Sequence, residues 1–432
     1  MKNNINKPIC VLQAPVFSRS GYGDHSRDIL RSLYNRDEYD IKVVATTWGS
    51  CPNTELQDDS EFAKFVRNSI LKGPLQKKPE IHIQISIPNE FTPQGKYNIG
   101  ITAGIETTLC RAEWIEGVNK MDLIIVPSQH AKTVFENSKF KKKLDDGQDV
   151  PVKLEKPIEV LFEGSDLEVF GRGKPKHPSV DEQLKAVKED FCFLFVGHWL
   201  QGDIGADRKD IGMLVKTFLQ VFKGKKEAPA LVLKTSGAGF SVVDQMECLR
   251  KIKMIRESVG GDDLPNVYLL HGELTMHELN YLYNHTKVKA HVSFTHGEGY
   301  GRPLQEASLS GKPVIASGWS GHVDFLNKDY AELLTGELVK IPDSAANEWI
   351  IKESKWFAVN YSIAAQRLED VFKNYKKYET KGQKLARENE KKFSLTKMYE
   401  NFDKILDNNL PKFTITADIQ LPKLNLPKLK KK

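Results

Sequence analysis

Two glutamates eight positions apart, Glu298 and Glu306, frame the stretch THGEGYGRPLQEA (295–307). Between them lie Gly299, Tyr300, Gly301 and Arg302, followed by Pro303. Carboxylates accept hydrogen bonds from hydroxyls, glycine backbone lets a ligand approach closely, and a helix amino terminus attracts an anion. The flanking apolar runs give the order strand (VKAHVSFT), loop (HGEGYGR), helix (PLQEASLS, with Pro303 in its first turn), strand (PVIAS). In open α/β sheets, loops at the carboxyl ends of strands hold the ligands. Glu298 in such a loop and Glu306 one helical turn further on would bracket a phosphate flanked by two hydroxyl-bearing groups. That is the shape of a nucleotide-sugar. A lone G-x-G would suggest no more than a turn with solvated glutamates. Here the whole run from Glu298 to Ala316 fits one geometry.

At these residues the sequence resembles the retaining, GT-B-fold glycosyltransferases of the large family 4 type, in which a Glu-x7-Glu motif binds the donor. The resemblance implies that Glu298 contacts donor-sugar hydroxyls and supports developing positive charge. It assigns Glu306 to the ribose and the backbone of Gly299 to Arg302 to the distal phosphate. That family also sets a basic pair on the diphosphate after the first strand of its second domain, usually Gly-Arg followed by a lysine. This chain departs from the pattern, with Gly197-His198 and then a longer loop before Arg208-Lys209. A leaving diphosphate needs cations, so Lys209 takes the place of the motif lysine and Arg208 that of the missing guanidinium. The role of His198 stays open. Lys234, ending the run LVLKTSG, is a further donor-site candidate.

In the first half, SRSGYGDHSRDIL (18–30) matches the amino-terminal glycine loop of that family. Gly21, Tyr22 and Gly23 are expected in a loop at the cleft, with Asp24 or Ser26 capping the helix or touching substrate. Glu106, in GIETT (104–108), stands where many members carry a histidine near the reacting sugar, and Trp114 follows. Glu106 is a candidate for positioning or deprotonating an acceptor, an ordinary loop carboxylate being the alternative. No Asp-x-Asp occurs in the 432 residues, so neither metal nor cofactor is expected beyond the donor substrate.

The elements that must position these residues are legible as short Val/Ile/Leu-rich runs with little alternation, as in parallel strands covered on both faces. They fall at 9–15, 41–48, 81–88, 97–104, 122–128 and 158–164, and again at 191–197, 230–235, 267–272, 288–295 and 313–317. Helical stretches alternate with them, which predicts an α/β chain of two Rossmann-like, doubly wound domains facing a cleft. The expected division is 1–170 for the acceptor domain, completed by a helix at 392–408 crossing back, and 171–391 for the donor domain. A Gly/Pro/charge-rich break at 165–188 reads as the linker, and 345–408 as helical. Thr275 and Glu278 have capping-box spacing, starting a helix to about Asn284.

The net charge of +6 is concentrated at one end. Residues 411–432 hold six lysines and one aspartate, a net +5, leaving +1 for the other 410 residues. The body therefore gives no case for nucleic-acid binding by charge alone. Residues 409–432, with LPKF, LPKL and LPKL ending in KKK, are expected to be extended or disordered, and could contact an anionic surface or only aid solubility. Five scattered cysteines suggest reduced thiols. With no spanning segment and no signal-peptide hydrophobic region, a cytoplasmic location is expected, the host's if the chain is phage-encoded.

The acceptor stays open. The loop at 18–27 looks like transferases of tailed phages, some of which decorate modified DNA bases, so a hydroxymethylated base is one candidate and a glycan, protein or small molecule the others. A non-catalytic sugar-nucleotide-binding protein and a GT-B nucleotide-sugar epimerase are the rival functions. A dinucleotide oxidoreductase is disfavoured, because no G-x-G-x-x-G follows the first strand of either domain.

Overall fold

The computed structural model describes residues 7–143, 147–200, 202–237 and 239–413. The Leu-Pro-Lys tail falls, from 414 onward, outside the described residues. Two six-stranded sheets, all of whose strands run parallel, organise the chain. The first contains β1 (Ile9–Ala14), β2 (Asp40–Ala45), β3 (Ile81–Ile85), β4 (Tyr97–Ile101), β5 (Leu123–Val126) and β8 (Ile158–Val160), in the order β2-β1-β3-β4-β5-β8. A small antiparallel hairpin, β6 (Phe140–Lys143) with β7 (Asp149–Val152), hangs between the last two. The second contains β9 (Cys192–His198), β10 (Ala230–Ser236), β11 (Val267–Leu270), β12 (Val288–Ser293), β13 (Val314–Ser317) and β14 (Glu332–Leu334). Its order is β11-β10-β9-β12-β13-β14, the doubly wound arrangement in which the order of strand addition reverses between the first and fourth strands.

Every one of the eleven apolar runs is a strand. Covered parallel strands need apolar side chains on both faces, so β5 (LIIV) is buried throughout. Helices cover the sheets: α1 (Gly21–Arg36), α2 (Glu61–Ser69), α3 (Ala112–Val118), α4 (Gln129–Asn137) and α5 (Pro178–Leu184) in the first half and its linker. In the second half follow α6 (Ile211–Phe222), α7 (Val242–Val259), α8 (Met276–Asn284), α9 (Arg302–Ser308), α10 (Tyr361–Lys373), α11 (Tyr375–Lys392) and α12 (Leu395–Asn409). The capping box forms: Thr275 accepts from the Glu278 amide while Glu278 reaches back to the Thr275 amide.

Two expectations need correction. The stretch from 345 is not helical at its start: β15 (Gly336–Lys340) pairs antiparallel with β16 (Lys355–Val359), and helix resumes only at Tyr361. The pairing partner lies far away in sequence, which local periodicity does not register. The 165–188 break also carries a two-turn helix, α5, entered through Pro178.

The last helix, α12, packs its buried Leu395, Met398, Phe402, Ile405 and Leu406 into the core of the first sheet. Arg36 at the end of α1 pairs with Asp403 and Asp407 on it. The crossing is tight where Gly164 meets it, since a β-carbon there would stand 2.6 Å from the Leu395 α-carbon. Four of the five cysteines are buried, Cys51 is partly exposed, and all are free. Among the described residues no helix is long and apolar enough to cross a membrane.

Because Phe402 is fully buried against residues almost 400 positions earlier, Phe402→Ala is expected to cost about 3–5 kcal/mol. The midpoint of urea unfolding measures it. A cost under about 1 kcal/mol would mean that α12 is not part of that core.

Candidate functional site

The second sheet reverses its winding between β9 and β12, and the loops leaving these two strands supply the charged centre. The loop after β9 (199–210) is held by its own buried acids. Asp207 accepts from the amides of Ile211 and Gly212 at the start of α6, and Asp210 accepts from the Tyr361 hydroxyl at 2.7 Å. From the other side, the His296 amide donates to the Arg208 carbonyl, and its ring stacks on Trp356 with centroids 4.1 Å apart. The loop after β12 is fixed by Ser320, whose hydroxyl accepts from the Glu298 amide at 2.9 Å.

These anchors bring Lys209 and Glu298 together at 2.5 Å, with both side chains largely covered. Arg208 pairs in turn with Glu106, which comes from the first domain. Burial works to raise the Glu298 carboxyl, but Lys209 and Arg208 overcome it and hold the group below its ordinary value. Burial and the neighbouring Arg208 push Lys209 down to about 8, Glu298 opposing. His322, buried behind Glu298, donates from Nε2 to the Ser317 carbonyl at 2.6 Å and is lowered by burial.

Glu306 lies on α9 one turn beyond its start, but Arg302 occupies it. The Arg302 guanidinium reaches Glu306 at 3.2 Å, Asp28 of α1 at 2.9 Å and Glu163 at 3.8 Å. One buried cation therefore serves three carboxylates from both halves of the chain. Burial raises Glu306 and Glu163 to about 7, the Arg302 charge opposing. Tyr300 has its ring in an apolar cluster with Phe325, so only its backbone is available to a ligand.

The glycines do more than free the backbone. A β-carbon on Gly297 would stand 2.0 Å from the Glu106 carbonyl oxygen, and one on Gly299 would stand 2.3 Å from that of Ala103. The two halves therefore touch backbone to backbone. The Ser128 hydroxyl donates to the Gly299 carbonyl, and the Gln129 amide to Asp324 at 2.8 Å. Gly301, at φ 97°, precedes α9 in the left-handed conformation that glycine favours.

Gly21, Tyr22 and Gly23 are not in a loop but form the first turn of α1, because Ser20 caps it by accepting from the Gly23 amide. Neither Asp24 nor Ser26 caps: Asp24 pairs with Arg27, and Ser26 donates to the Tyr22 carbonyl. Gly23 is needed for packing, its β-carbon position lying 2.0 Å from the Ser18 carbonyl oxygen, whereas Gly21 faces open space. Tyr22 accepts from the Ala103 amide and stacks on Trp48 with centroids 3.8 Å apart. His198 ends β9 with its Nδ1 3.3 Å from the Ser236 hydroxyl. Lys234 donates to the Gly272 carbonyl, and burial lowers it to about 8. Arg19 spans the cleft to Glu273 at 2.9 Å.

Residues of both halves enclose a cavity of about 1060 Å³ beside Glu106 and Arg208. Sequence patterns point to Glu298, Glu306 and the basic pair, but not to Arg19, Asp28, Glu163 or His322. Arg19, Asp28 and Glu163 act through partners far away in the chain, while His322 bonds locally to Ser317, and no motif spacing marks any of them.

Two doubly wound sheets with a cleft between them and a carboxyl-terminal helix crossing back have solved counterparts. A glycosyltransferase from Rickettsia africae ESF-5 superimposes with a TM-score of 0.62 at 12% identity, covering 94% of this chain and 99% of that one. The fold is GT-B. Sucrose-phosphate synthase from Thermosynechococcus elongatus matches at a TM-score of 0.60, 12% identity, and 93% and 98% coverage. HepE from Anabaena, solved in complex with UDP and glucose, matches at 0.57, 12% identity, and 93% and 99% coverage. No family model matches the chain, and no curated protein matches it in sequence. The GT-B likeness therefore stands on architecture, at identities too low to carry function.

Removing Arg302 would leave Asp28, Glu163 and Glu306 buried without a cation. Arg302→Ala is expected to destabilise the protein by about 3–5 kcal/mol, read by urea or thermal unfolding. Adding Asp28→Asn should recover part of that loss. A loss below about 1 kcal/mol would show that the carboxylates are neutral or solvated.

Proposed function

We propose that the protein transfers a sugar from a nucleoside-diphosphate sugar to an acceptor hydroxyl, with retention of anomeric configuration and without a metal ion. The observation that carries this reading is the Lys209–Glu298 pair, set beside Arg208 at the switch point of the second sheet. A diphosphate arriving there draws Lys209 and Arg208 to its oxygens. Glu298 is thereby released from its lysine to accept hydrogen bonds from the sugar hydroxyls, and its negative charge faces the anomeric carbon as positive charge develops. Glu306 is the ribose candidate and the backbone from Gly299 to Arg302 the phosphate candidate, in line with the Glu-x7-Glu resemblance. His198 and Lys234 border the same site.

In the transfer step the acceptor oxygen bonds to the anomeric carbon as the bond from that carbon to the diphosphate oxygen breaks. The bonding pair leaves with the nucleoside diphosphate, and the acceptor proton passes to the departing phosphate oxygen on the same face. Glu106, paired with Arg208, positions the acceptor hydroxyl. Backbone contact at Gly297 and Gly299 excludes water and protects the donor from hydrolysis. The metal-free reading rests on Arg208 and Lys209 together with the absence of an Asp-x-Asp pair from the sequence. Solved GT-B structures of similar shape with UDP and glucose bound support a uridine or related donor. The acceptor domain is assigned to residues 1–170 with α12, and the donor domain to 171–391.

Glu298→Gln is expected to lower transfer by about 100- to 1000-fold, with wild-type turnover unaffected by EDTA. Product formation from a radiolabelled nucleotide-sugar measures both. Undiminished transfer by the variant would remove Glu298 from the transfer step. A wild type that binds the donor but forms no product would point to the binding-protein reading, and isomerised sugar without a glycosylated product to the epimerase. Lys209 is depressed to about 8, so it loses its charge as pH rises through that value, and kcat/KM should fall above it. Lys209→Arg, which does not titrate in this range, should lack that alkaline limb. A limb that persists in the variant would assign it to another group.

A further inference from the structure

The cavity beside Glu106 is built in an unusual way for this chain. Five of the six tryptophans line it, Trp48, Trp114, Trp199, Trp349 and Trp356, together with Tyr22. They come from both halves: Tyr22 and Trp48 stand on the first domain, stacked on each other, and Trp199 and Trp356 on the second. Trp349 is 39% exposed, so part of its ring stays open to solvent. Trp114, Trp199 and Trp356 are buried and form the wall, whereas Trp349 and the half-buried Trp48 keep ring surface open, which suits a ligand with flat apolar faces.

The charged lining has the opposite sign from that of a phosphate site. Glu90, Glu106, Asp244 and Glu247 line the cavity, against only Arg208 and Lys251. Four acids and two bases leave a formal charge of −2, which Arg250, paired with Glu247 from the next turn of α7, brings to −1. Arg208 is already engaged by Glu106, and the Lys251 ammonium lies 5.2 Å from the Trp199 ring centroid. A nucleic acid is held by unneutralised cations, about one for each phosphate contacted. This lining offers none in excess. Carboxylates do accept from neighbouring hydroxyls, two oxygens to each group. A pyranose presents both features at once, a face of C–H groups for an aromatic ring and a rim of hydroxyls for carboxylates.

Resting on the glycosyl-transfer reading above, we infer that this cavity is the acceptor site and that the acceptor is an uncharged saccharide rather than DNA. The volume of about 1060 Å³ is at the upper end for small-ligand sites, and suits more than one sugar ring. The saccharide lies against Trp349 and Trp48 with its reacting hydroxyl at Glu106, and Glu90 and Asp244 accept from the others.

The test uses the full chain. The donor is first identified by thermal stabilisation and slow hydrolysis across a panel of nucleotide-sugars. With that donor fixed, neutral mono- and disaccharides are compared with hydroxymethylcytosine-containing duplex DNA as acceptors. The inference expects a glycosylated saccharide and no labelled DNA. It also expects Trp349→Ala to raise KM for the saccharide about tenfold, more than KM for the donor. A donor that binds and is hydrolysed while DNA is labelled, or while no neutral saccharide is used, overturns this inference and leaves sugar transfer standing. An unchanged acceptor KM in Trp349→Ala overturns the assignment of the cavity. Absence of any donor binding or hydrolysis would instead overturn the proposed function itself.

Discussion

An ammonium and a carboxylate withdrawn from water are tolerable only while each holds the other, and the cleft of this protein is organised around that condition. Lys209 and Glu298 come from loops 89 residues apart and meet where the second sheet reverses its winding. Desolvation penalises both charges, and their mutual attraction offsets it only at close range. The surrounding structure exists to maintain that range. Asp207 and Asp210 fix one loop, while Ser320 and the stacked His296–Trp356 pair fix the other. On the proposed function, the same arrangement makes the site responsive, because an incoming diphosphate competes with Glu298 for Lys209.

The second constraint is the contact between domains. Arg302 bonds across to Asp28 while Arg208 bonds across to Glu106, so each half contributes carboxylates to the other's cations. Between these ion pairs the backbone of the Glu298 loop lies directly on residues 103–106, which only glycine at 297 and 299 permits. The loop that carries Glu298 is thus also the surface on which the two halves of the chain meet. On the proposed function, donor binding and exclusion of water are linked, since a ligand that loosens the ion pairs also alters what holds the cleft shut.

Much of this was legible in the chain because the physics is local. Strands buried on both faces need uninterrupted apolar residues, so eleven of the twelve central strands stand out; β14, three residues at a sheet edge, does not. The β15–β16 hairpin escaped because its pairing is non-local, and WFAV reads as readily into the following helix. At the site, type and spacing singled out Glu298, Arg208 and Lys209, which the fold brings together, and Glu306, which the fold pairs with Arg302. What the spacing could not give was direction. Arg302, expected beside a phosphate through its backbone, sends its side chain to Asp28 and Glu163, and Tyr300 turns its ring into the core. Gly21 to Gly23 read as a loop because glycines dominate the stretch, yet Ser20 caps a helix through them. Which partner a side chain finds is decided by the packing of distant elements, and sequence spacing does not record that.

The central claim is that Glu298 and the donor diphosphate compete for the same cations. Titrating the nucleoside diphosphate of the best donor into wild-type and Glu298→Gln protein by calorimetry tests it most directly. The account predicts that the variant binds the diphosphate more tightly than the wild type, although its transfer activity is lost, because Lys209 is no longer neutralised. Weaker binding by the variant would contradict it, since Glu298 would then be supporting the diphosphate site rather than occupying its lysine.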